Sequence, residues 1–128
     1  MSNTQTARVY VVQKTMRWDA PRGELVPKFD LSPAQEYGTL EYLLSPTASP
    51  FRPEALLPEL HEKLSQFTEE DYLLLVGNPV LIGLAVCLAA DYAGGSVNLL
   101  QWSGKAGKYL PVVVRGIFDA CPQGVDLE

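Results

Sequence analysis

A turn at Gly77-Asn78-Pro79 is the corner of this sequence where a bound ligand is most reasonable on physical grounds. In parallel α/β sheets, ligands bind beyond the carboxyl ends of strands, where a helix N-terminus offers free amides and a positive dipole end. Gly77 would allow a ligand to approach the backbone closely. The simpler interpretation is that Gly77 forms a tight turn, Asn78 caps the following helix, and Pro79, which lacks an N–H, begins it. The sequence favours capping and leaves a weak ligand-binding site as the alternative.

Acidic side chains are concentrated in one part of the chain, where residues 54–92 contain seven carboxylates and one lysine. An acidic surface of this kind can steer association with a basic partner. The residues around Asp71 could also act as paired carboxylates, but they precede a strand at its opposite end from Gly77, which favours a solvated charge run. The sequence therefore predicts a weak interaction face made of Glu59, Glu62, Glu69, Glu70 and Asp71.

Motifs for catalysis are absent from the sequence. His61 is the only histidine, and no HExxH, CxxC or GxSxG pattern occurs, so no catalytic residue, metal site or cofactor is expected. His61 is interpreted as a solvated helix residue. The run Gly104-Lys105-Ala106-Gly107-Lys108 is followed by Tyr109 and a strand, whereas a phosphate-binding loop requires Ser or Thr and then a helix. It is interpreted as a hairpin turn.

Composition narrows the classes of protein further. A chain of 128 residues with 47% hydrophobic and 20% charged residues has the size and balance of one globular domain. Its net charge of −5 argues against nucleic-acid binding. Residues 72–90 carry no charge over a length near that of a membrane span, but the turn at Gly77-Asn78-Pro79 interrupts them, so no membrane span is expected. The start MSNTQTARVY lacks a signal-peptide pattern, and a cytoplasmic location is expected.

Five strands and two helices are predicted from apolar runs and their periodicity. The strands are Arg8–Gln13, Gly38–Ser45, Asp71–Val76, Ser96–Trp102 and Tyr109–Arg115. The helices are Pro58–Phe67, with a loose first turn from Pro53, and Pro79–Tyr92. The second helix is apolar nearly all round, so we expect it to be buried by the sheet and by a second cover, either the long loop or another molecule, with Cys87 as a buried, reduced thiol.

The order of these elements predicts a single α/β domain over residues 1–128, layered as a sandwich of two or three layers. Its mainly parallel sheet of about five strands has the Asp71–Val76 strand near the centre and ends in an antiparallel C-terminal hairpin, with Pro111 on an edge strand. Residues 14–37 form a long Pro-rich loop without regular structure. Its apolar residues are expected to hold it against the domain: Trp18, Leu25, Val26, Phe29 and Leu31. Residues 119–128 are predicted to form a flexible tail.

Two segments of the chain, DYLLLVGNPVLIGLAVCLAA and GGSVNLLQWSGKAGKYLPVVV, resemble a family of small, functionally uncharacterised proteins encoded by tailed bacteriophages. The resemblance extends over most of Arg8–Val114 and includes the VYVVQ strand and the Pro-rich loop. Asn78 stands where the family pattern more often has Asp, and Gln101 where it often has Lys. The resemblance implies a phage protein in the cytoplasm of an infected bacterium, and it transfers no catalytic residue.

Two functions follow as hypotheses. The first is a non-catalytic protein–protein interaction with a host or phage protein, plausibly one that modulates the host, because the chain is small, locally acidic and without a catalytic set. The second is a small-molecule or nucleotide-binding domain that uses the Gly77-Asn78-Pro79 turn. A homodimer through the Pro79–Tyr92 helix is compatible with either hypothesis.

Overall fold

Seven strands, two α-helices and a 3-10 helix make up residues 7–120, the part of the chain that the computed structural model describes. The strands are β1 (Arg8–Gln13), β2 (Met16–Asp19), β3 (Glu24–Pro27), β4 (Thr39–Leu44), β5 (Tyr72–Leu74), β6 (Val97–Ser103) and β7 (Lys108–Val114). The helices are α1 (Pro53–Leu64), α2 (Pro79–Tyr92) and the 3-10 helix Ser32–Tyr37. The predicted flexible tail lies almost entirely outside the described residues.

The main sheet has five strands in the order β4-β1-β5-β6-β7. The first four strands in this order run parallel, and β6 and β7 form an antiparallel pair. β5 occupies the centre, and β7, with Pro111 in it, occupies one edge. The α/β class, the mainly parallel sheet and the C-terminal hairpin are therefore confirmed.

Alternate residues of β1 belong to two separate cores, one on each face of the sheet. Tyr10 and Val12 pack in a core with residues of α1 and α2, whereas Val9 and Val11 pack in a core with Ala34 of the 3-10 helix. Both α-helices thus lie on one face, and the 3-10 helix covers the other. The molecule has a helix layer, a sheet and a thin third layer.

The helix layer is narrower than the sheet beneath it. Strands lie about 4.8 Å apart and packed helices about 10 Å apart, so two helices cover about four strands. α1 packs on β4 and α2, and α2 packs on β1 and β6. The main contacts of β7 are with β6 and the 3-10 helix, which leaves its helix-side face open.

The chain itself covers α2 with the sheet and with α1 and leaves the outward side of the helix exposed. Leu81, Ala85 and Ala89 face the core, but Val80 and Cys87 are exposed to solvent. The Pro-rich segment cannot provide a second cover, because its 3-10 helix lies across the opposite face of the sheet. The predicted burial of Cys87 is wrong for the same reason.

The segment 14–37 is also more regular than predicted. It contains the antiparallel pair β2–β3 and the 3-10 helix instead of a continuous loop. Leu31 packs on the core and Phe29 keeps 46% of its surface exposed, but Trp18 and Leu25, which pair across the hairpin, are largely exposed. The predicted anchoring by Trp18 and Leu25 is therefore wrong.

Helix α1 begins at Pro53, earlier than the predicted start near Pro58, and ends at Leu64 instead of Phe67. Pro53 sets the backbone angle of the first helical residue, and Pro58 is accommodated inside the helix at the loss of one hydrogen bond to Glu54. Phe67 follows in a turn in which its N–H donates to the Leu64 carbonyl at 2.9 Å. It still reaches the core predicted for it, because its ring is buried against Tyr10.

Candidate functional site

The Gly77 turn is held by a side chain from the neighbouring strand. Gln13, at the end of β1, accepts a hydrogen bond at Oε1 from the Asn78 N–H at 2.9 Å. Its Nε2 donates to the Ser45 carbonyl at 3.2 Å, and its backbone N–H donates to Val76 at 3.0 Å. One buried amide thus joins the carboxyl ends of β1, β4 and β5. Gly77 has φ of +138°, and a Cβ there would lie 2.6 Å from the Gln13 Cβ.

The first turn of α2 has most of its donors occupied by its own chain. The Asn78 side chain accepts from the Val80 N–H at 2.9 Å, Pro79 has no N–H, and the Asn78 N–H is bound to Gln13. The predicted cap is therefore present. Gly77, Asn78 and Pro79 stay a candidate ligand site only through the space beside them, because few backbone donors are left for an anion.

That space is a cavity of about 510 Å³ beyond the end of β5, on the face of the sheet opposite the α-helices. Its floor is the backbone and side chains of residues 74–77, and its walls are Phe29, Asp30, Trp102 and Tyr109. Trp102 and Tyr109 are paired across β6 and β7, with ring centroids 5.0 Å apart in an edge-to-face arrangement. The cavity is in the place where α/β sheets commonly bind ligands.

The sequence reasoning did not assign these four wall residues to a site. Alternation along β6 puts Trp102 on the same face as the buried Leu100, and the strand register puts Tyr109 beside it. The predicted β6–β7 hairpin was therefore sufficient to place Trp102 and Tyr109 side by side on this face. Phe29 and Asp30 come from the connection between β3 and the 3-10 helix, whose path has no periodic pattern to reveal it.

Electrostatics in the cavity centre on Asp30. Hydrogen bonds from the Ser32 side chain and backbone to its Oδ1 atom lower the pKa of this carboxyl. Burial raises the pKa of the Tyr109 phenol, and the negative charge of Asp30 raises it further. The cavity is therefore lined by the anionic carboxylate of Asp30, the neutral phenol of Tyr109, the indole ring of Trp102 and the phenyl ring of Phe29.

The predicted acidic face is divided by the fold. Glu59 forms an ion pair with Lys63 at 2.8 Å, and Lys63 also donates to the Leu43 carbonyl at 2.9 Å. Glu62, Glu69 and Glu70 are exposed, and within residues 7–120 none of them forms an ion pair. These three carboxylates are the ones available to a partner.

Asp71 has a different environment, because it is buried under the start of β5. Its carboxylate accepts hydrogen bonds from the Arg8 N–H at 2.9 Å, the Thr68 N–H at 2.9 Å and the Thr68 hydroxyl at 3.1 Å. These bonds tie the start of β1 to the turn before β5. We therefore leave Asp71 out of the exposed acidic surface.

The open helix-side face of β7 is a second feature that the sequence did not indicate. Leu110 and Val112 lie opposite Gln101 and Leu99 on the helix side of the sheet, and Val112 keeps 44% of its surface exposed. Ile117 and Phe118 follow, also exposed, with the Ile117 N–H bound to the Gly95 carbonyl at 3.0 Å. We call Leu110, Val112, Ile117 and Phe118 the apolar strip.

His61 lies on the outer side of the helix layer, where its Nδ1 is 2.6 Å from the Tyr92 hydroxyl and the two rings meet edge to face. The pair joins α1 to α2. Residues 7–120 contain no group of three or more His, Cys, Asp or Glu side chains placed to hold a metal ion. In the same range no helix combines the length and the apolar character needed to cross a membrane.

Together these features define a small α/β protein with a three-layer fold, an aromatic cavity at one sheet end and an uncovered apolar strand at one edge. A comparison with known protein families matches residues 7–116 to the Phage Pam3 gp32-like protein family. The chain belongs to this family and is a phage-type protein, which confirms the predicted relationship to phage proteins. Neither the curated proteins nor the solved structures gave a match.

Proposed function

We propose that this chain is a non-catalytic binding protein of the phage, which attaches to another protein, of host or phage, through the apolar strip. The observation that carries the proposal is the uncovered helix-side face of β7, where Leu110 and Val112 stay exposed beside a two-helix layer. Single exposed hydrophobic residues are ordinary on protein surfaces. Several neighbouring ones on a strand that the helix layer does not cover are typical of an interaction surface.

The partner segment that fits this surface is an amphipathic helix. It would take the position of a third helix in the helix layer, over β7 and beside α2. There it would bury Leu110 and Val112, much as α2 covers β1 and β6. Lys108, at the start of β7, lies on the same side of the strand as Leu110, and residues 93–118 contain no Asp or Glu. A helix with an acidic residue beside its apolar face is therefore complementary in charge to this end of the strip.

Backbone pairing along the free edge of β7 is a poorer mode of binding. Pro111 lies in the middle of the strand and has no N–H to donate to an added strand. Lys108 at the start of β7 further disfavours edge-to-edge pairing, as charged residues do on natural edge strands. Side-chain packing on the helix-side face avoids both obstacles.

Exposed Glu62, Glu69 and Glu70 are proposed to attract a separate, basic part of the partner's surface in a salt-dependent way, because their charge repels the acidic residue of the docking helix. The Glu69 carbonyl accepts a hydrogen bond from the Asn98 side chain at 2.7 Å, so this acidic turn lies next to β6. Glu62 lies on α1, at the far side of the helix layer. The side chain of Asn98 is on the face of the sheet opposite the apolar strip, so the acidic residues form a separate surface.

The test is affinity capture from an infected-cell lysate with three forms of the protein. Val112→Lys places a charge on the apolar strip, and Trp18→Lys is the matched control, because Trp18 is 61% exposed on the β2–β3 hairpin. We expect a protein that is enriched by the wild type and by Trp18→Lys but lost with Val112→Lys. Equal capture by all three forms contradicts the proposal. A mass measurement in solution separates a partner from a second copy of this chain.

The cavity beside Gly77 favours a second candidate, binding of a small molecule or nucleotide at the Gly77-Asn78-Pro79 turn. The specific observation is its position at the carboxyl end of β5, with Gly77 in its lining. Such binding raises the melting temperature by linkage. A panel of nucleotides and metabolites that gives no shift argues against this candidate.

A further inference from the structure

From the cavity walls we infer that this site binds an organic cation, an ammonium or guanidinium group enclosed by Trp102, Tyr109 and Phe29 and paired with Asp30. The inference narrows the small-molecule candidate to one chemical class. It is independent of the apolar strip, which lies on the other face of the sheet.

The aromatic side chains carry the first part of the argument. The negative faces of aromatic rings attract cations, and Trp attracts them more strongly than Tyr or Phe. Groups of such rings bind quaternary ammonium and guanidinium ligands. Trp102 keeps 50% of its surface exposed at the cavity although it belongs to a strand. Its edge-to-face contact with Tyr109 fixes the angle between the two rings.

Asp30 carries the second part, because among residues 7–120 it is the one carboxylate that lines the cavity. Ser32 binds its Oδ1 atom, at 3.1 Å from the backbone N–H and 2.8 Å from the hydroxyl. These bonds fix the carboxylate at the cavity rim and favour its charged form. A carboxylate beside three rings complements a cation and repels an anion, which argues against a phosphate group here.

Lys28 provides a way to determine whether the bound ligand is a cation or an anion. Its Nζ lies 5.4 Å from the centroid of the Phe29 ring, so a cation of the chain already contacts one wall residue. An incoming cation is opposed by Lys28, whereas an incoming anion is attracted by it. Removal of this lysine therefore changes the affinity in opposite directions for the two classes of ligand.

The experiment measures binding of choline and of arginine, as the amide and within a short peptide, by isothermal titration, with 3,3-dimethylbutanol as the uncharged analogue of choline. We expect both cations to bind at millimolar concentration or below and the uncharged analogue to bind at least about tenfold more weakly. Tryptophan fluorescence in a Trp18→Phe background reports on the site directly, because Trp102 is then the one remaining tryptophan.

Three substitutions assign the binding to this cavity. Asp30→Asn keeps the acceptor for Ser32 and removes the charge, and we expect about a five- to tenfold loss of affinity. Trp102→Leu is expected to cause a loss of similar size. Lys28→Met should tighten cation binding about two- to fivefold. Val112→Lys, on the opposite face, should leave it unchanged.

The outcomes separate the possibilities. Failure of both cations to bind, equal binding of the uncharged analogue, or unchanged affinity in Asp30→Asn overturns the inference. Weaker binding after Lys28→Met indicates an anion site instead. If arginine amide and an arginine-containing peptide bind more tightly than choline, the cation is a side chain of a partner protein; the reverse order indicates a free small molecule.

Discussion

The Oε1 atom of Gln13 accepts a hydrogen bond from the Asn78 N–H at 2.9 Å and thereby joins the end of β1 to the start of α2. The same side chain donates to the Ser45 carbonyl after β4. Three chain segments that are far apart in sequence meet at one buried amide. The arrangement satisfies the Asn78 N–H at the start of α2, and the Asn78 side chain in turn accepts from the Val80 N–H.

Replacement of Gln13 by leucine should lower the free energy of unfolding by about 1–3 kcal/mol, because the Asn78 N–H loses its buried acceptor. Gln101→Leu is the matched control: Gln101 is an exposed amide on β6, and its replacement should change stability by less than about 0.5 kcal/mol. Chemical denaturation checks both variants. Equal stability of the two variants would show that the Gln13 bridge is unimportant.

Gly77→Ala should destabilise the fold by at least about 1–3 kcal/mol. Its φ of +138° is a region that side chains rarely adopt, and the new methyl group would meet the Gln13 Cβ at 2.6 Å. Gly83→Ala, at an exposed position of α2 with no atom within 4 Å of the added Cβ, should instead stabilise the protein by about 0.5–1 kcal/mol. Thermal melts of the two variants should move in opposite directions. A Gly77→Ala protein as stable as the wild type contradicts the described turn.

Asp71→Ala should cost about 2–4 kcal/mol, because three donors on Arg8 and Thr68 lose their acceptor. Glu70→Ala, one residue away and exposed, should be nearly neutral in stability. Urea unfolding provides the comparison. If the two substitutions have equal effects, Asp71 is a surface charge like its neighbour and belongs with the acidic face.

Stability should decline in alkaline solution because of the buried tyrosines. Burial raises the pKa of Tyr10, an effect partly offset by the hydrogen bond from Arg8, and burial also raises the pKa of Tyr109. The folded state then retains these phenolic protons at a pH where the unfolded chain loses them. Their contribution is complete below about pH 10, the unfolded pKa, and is lost as the pH rises through the folded pKa values.

A spectroscopic titration of phenolate absorbance checks this prediction, with Tyr109→Phe as the comparison. We expect the substitution to remove a late-titrating group and to reduce the fall in stability above pH 10. An unchanged titration curve in Tyr109→Phe would show that this phenol does not titrate late. The cavity position of Tyr109 would then need to be reconsidered.

Much of the sheet was predictable from local sequence. The run DYLLLV is apolar on both alternating positions, as required of a central strand, and Pro111 indicated an edge strand. The strands within residues 14–37 could not be predicted, because β2 and β3 have four residues each. In so short a strand, the alternation of apolar and polar residues cannot be distinguished from the composition of a loop. Trp18 and Leu25 pair across that hairpin, and only the register reveals it.

The sites were less predictable for a related reason. Asn78 as a cap follows from its position before Pro79, a local signal. The cavity and the apolar strip depend on how elements are placed relative to one another. The uncovered face of β7 is a consequence of two helices packing on five strands, which no short segment encodes. The apolar character of α2 predicted a second cover for the helix, but it did not indicate that α1 provides one or that the Pro-rich segment lies on the opposite face.

The central proposal, binding of a partner helix over β7, is tested most directly by amide hydrogen exchange of the protein with and without the captured partner. We predict slower exchange in the complex across residues 110–118 and the neighbouring side of α2, with the β2–β3 hairpin unchanged. Protection confined to the hairpin or to α1, with exchange at residues 110–118 unaltered, would contradict the proposal.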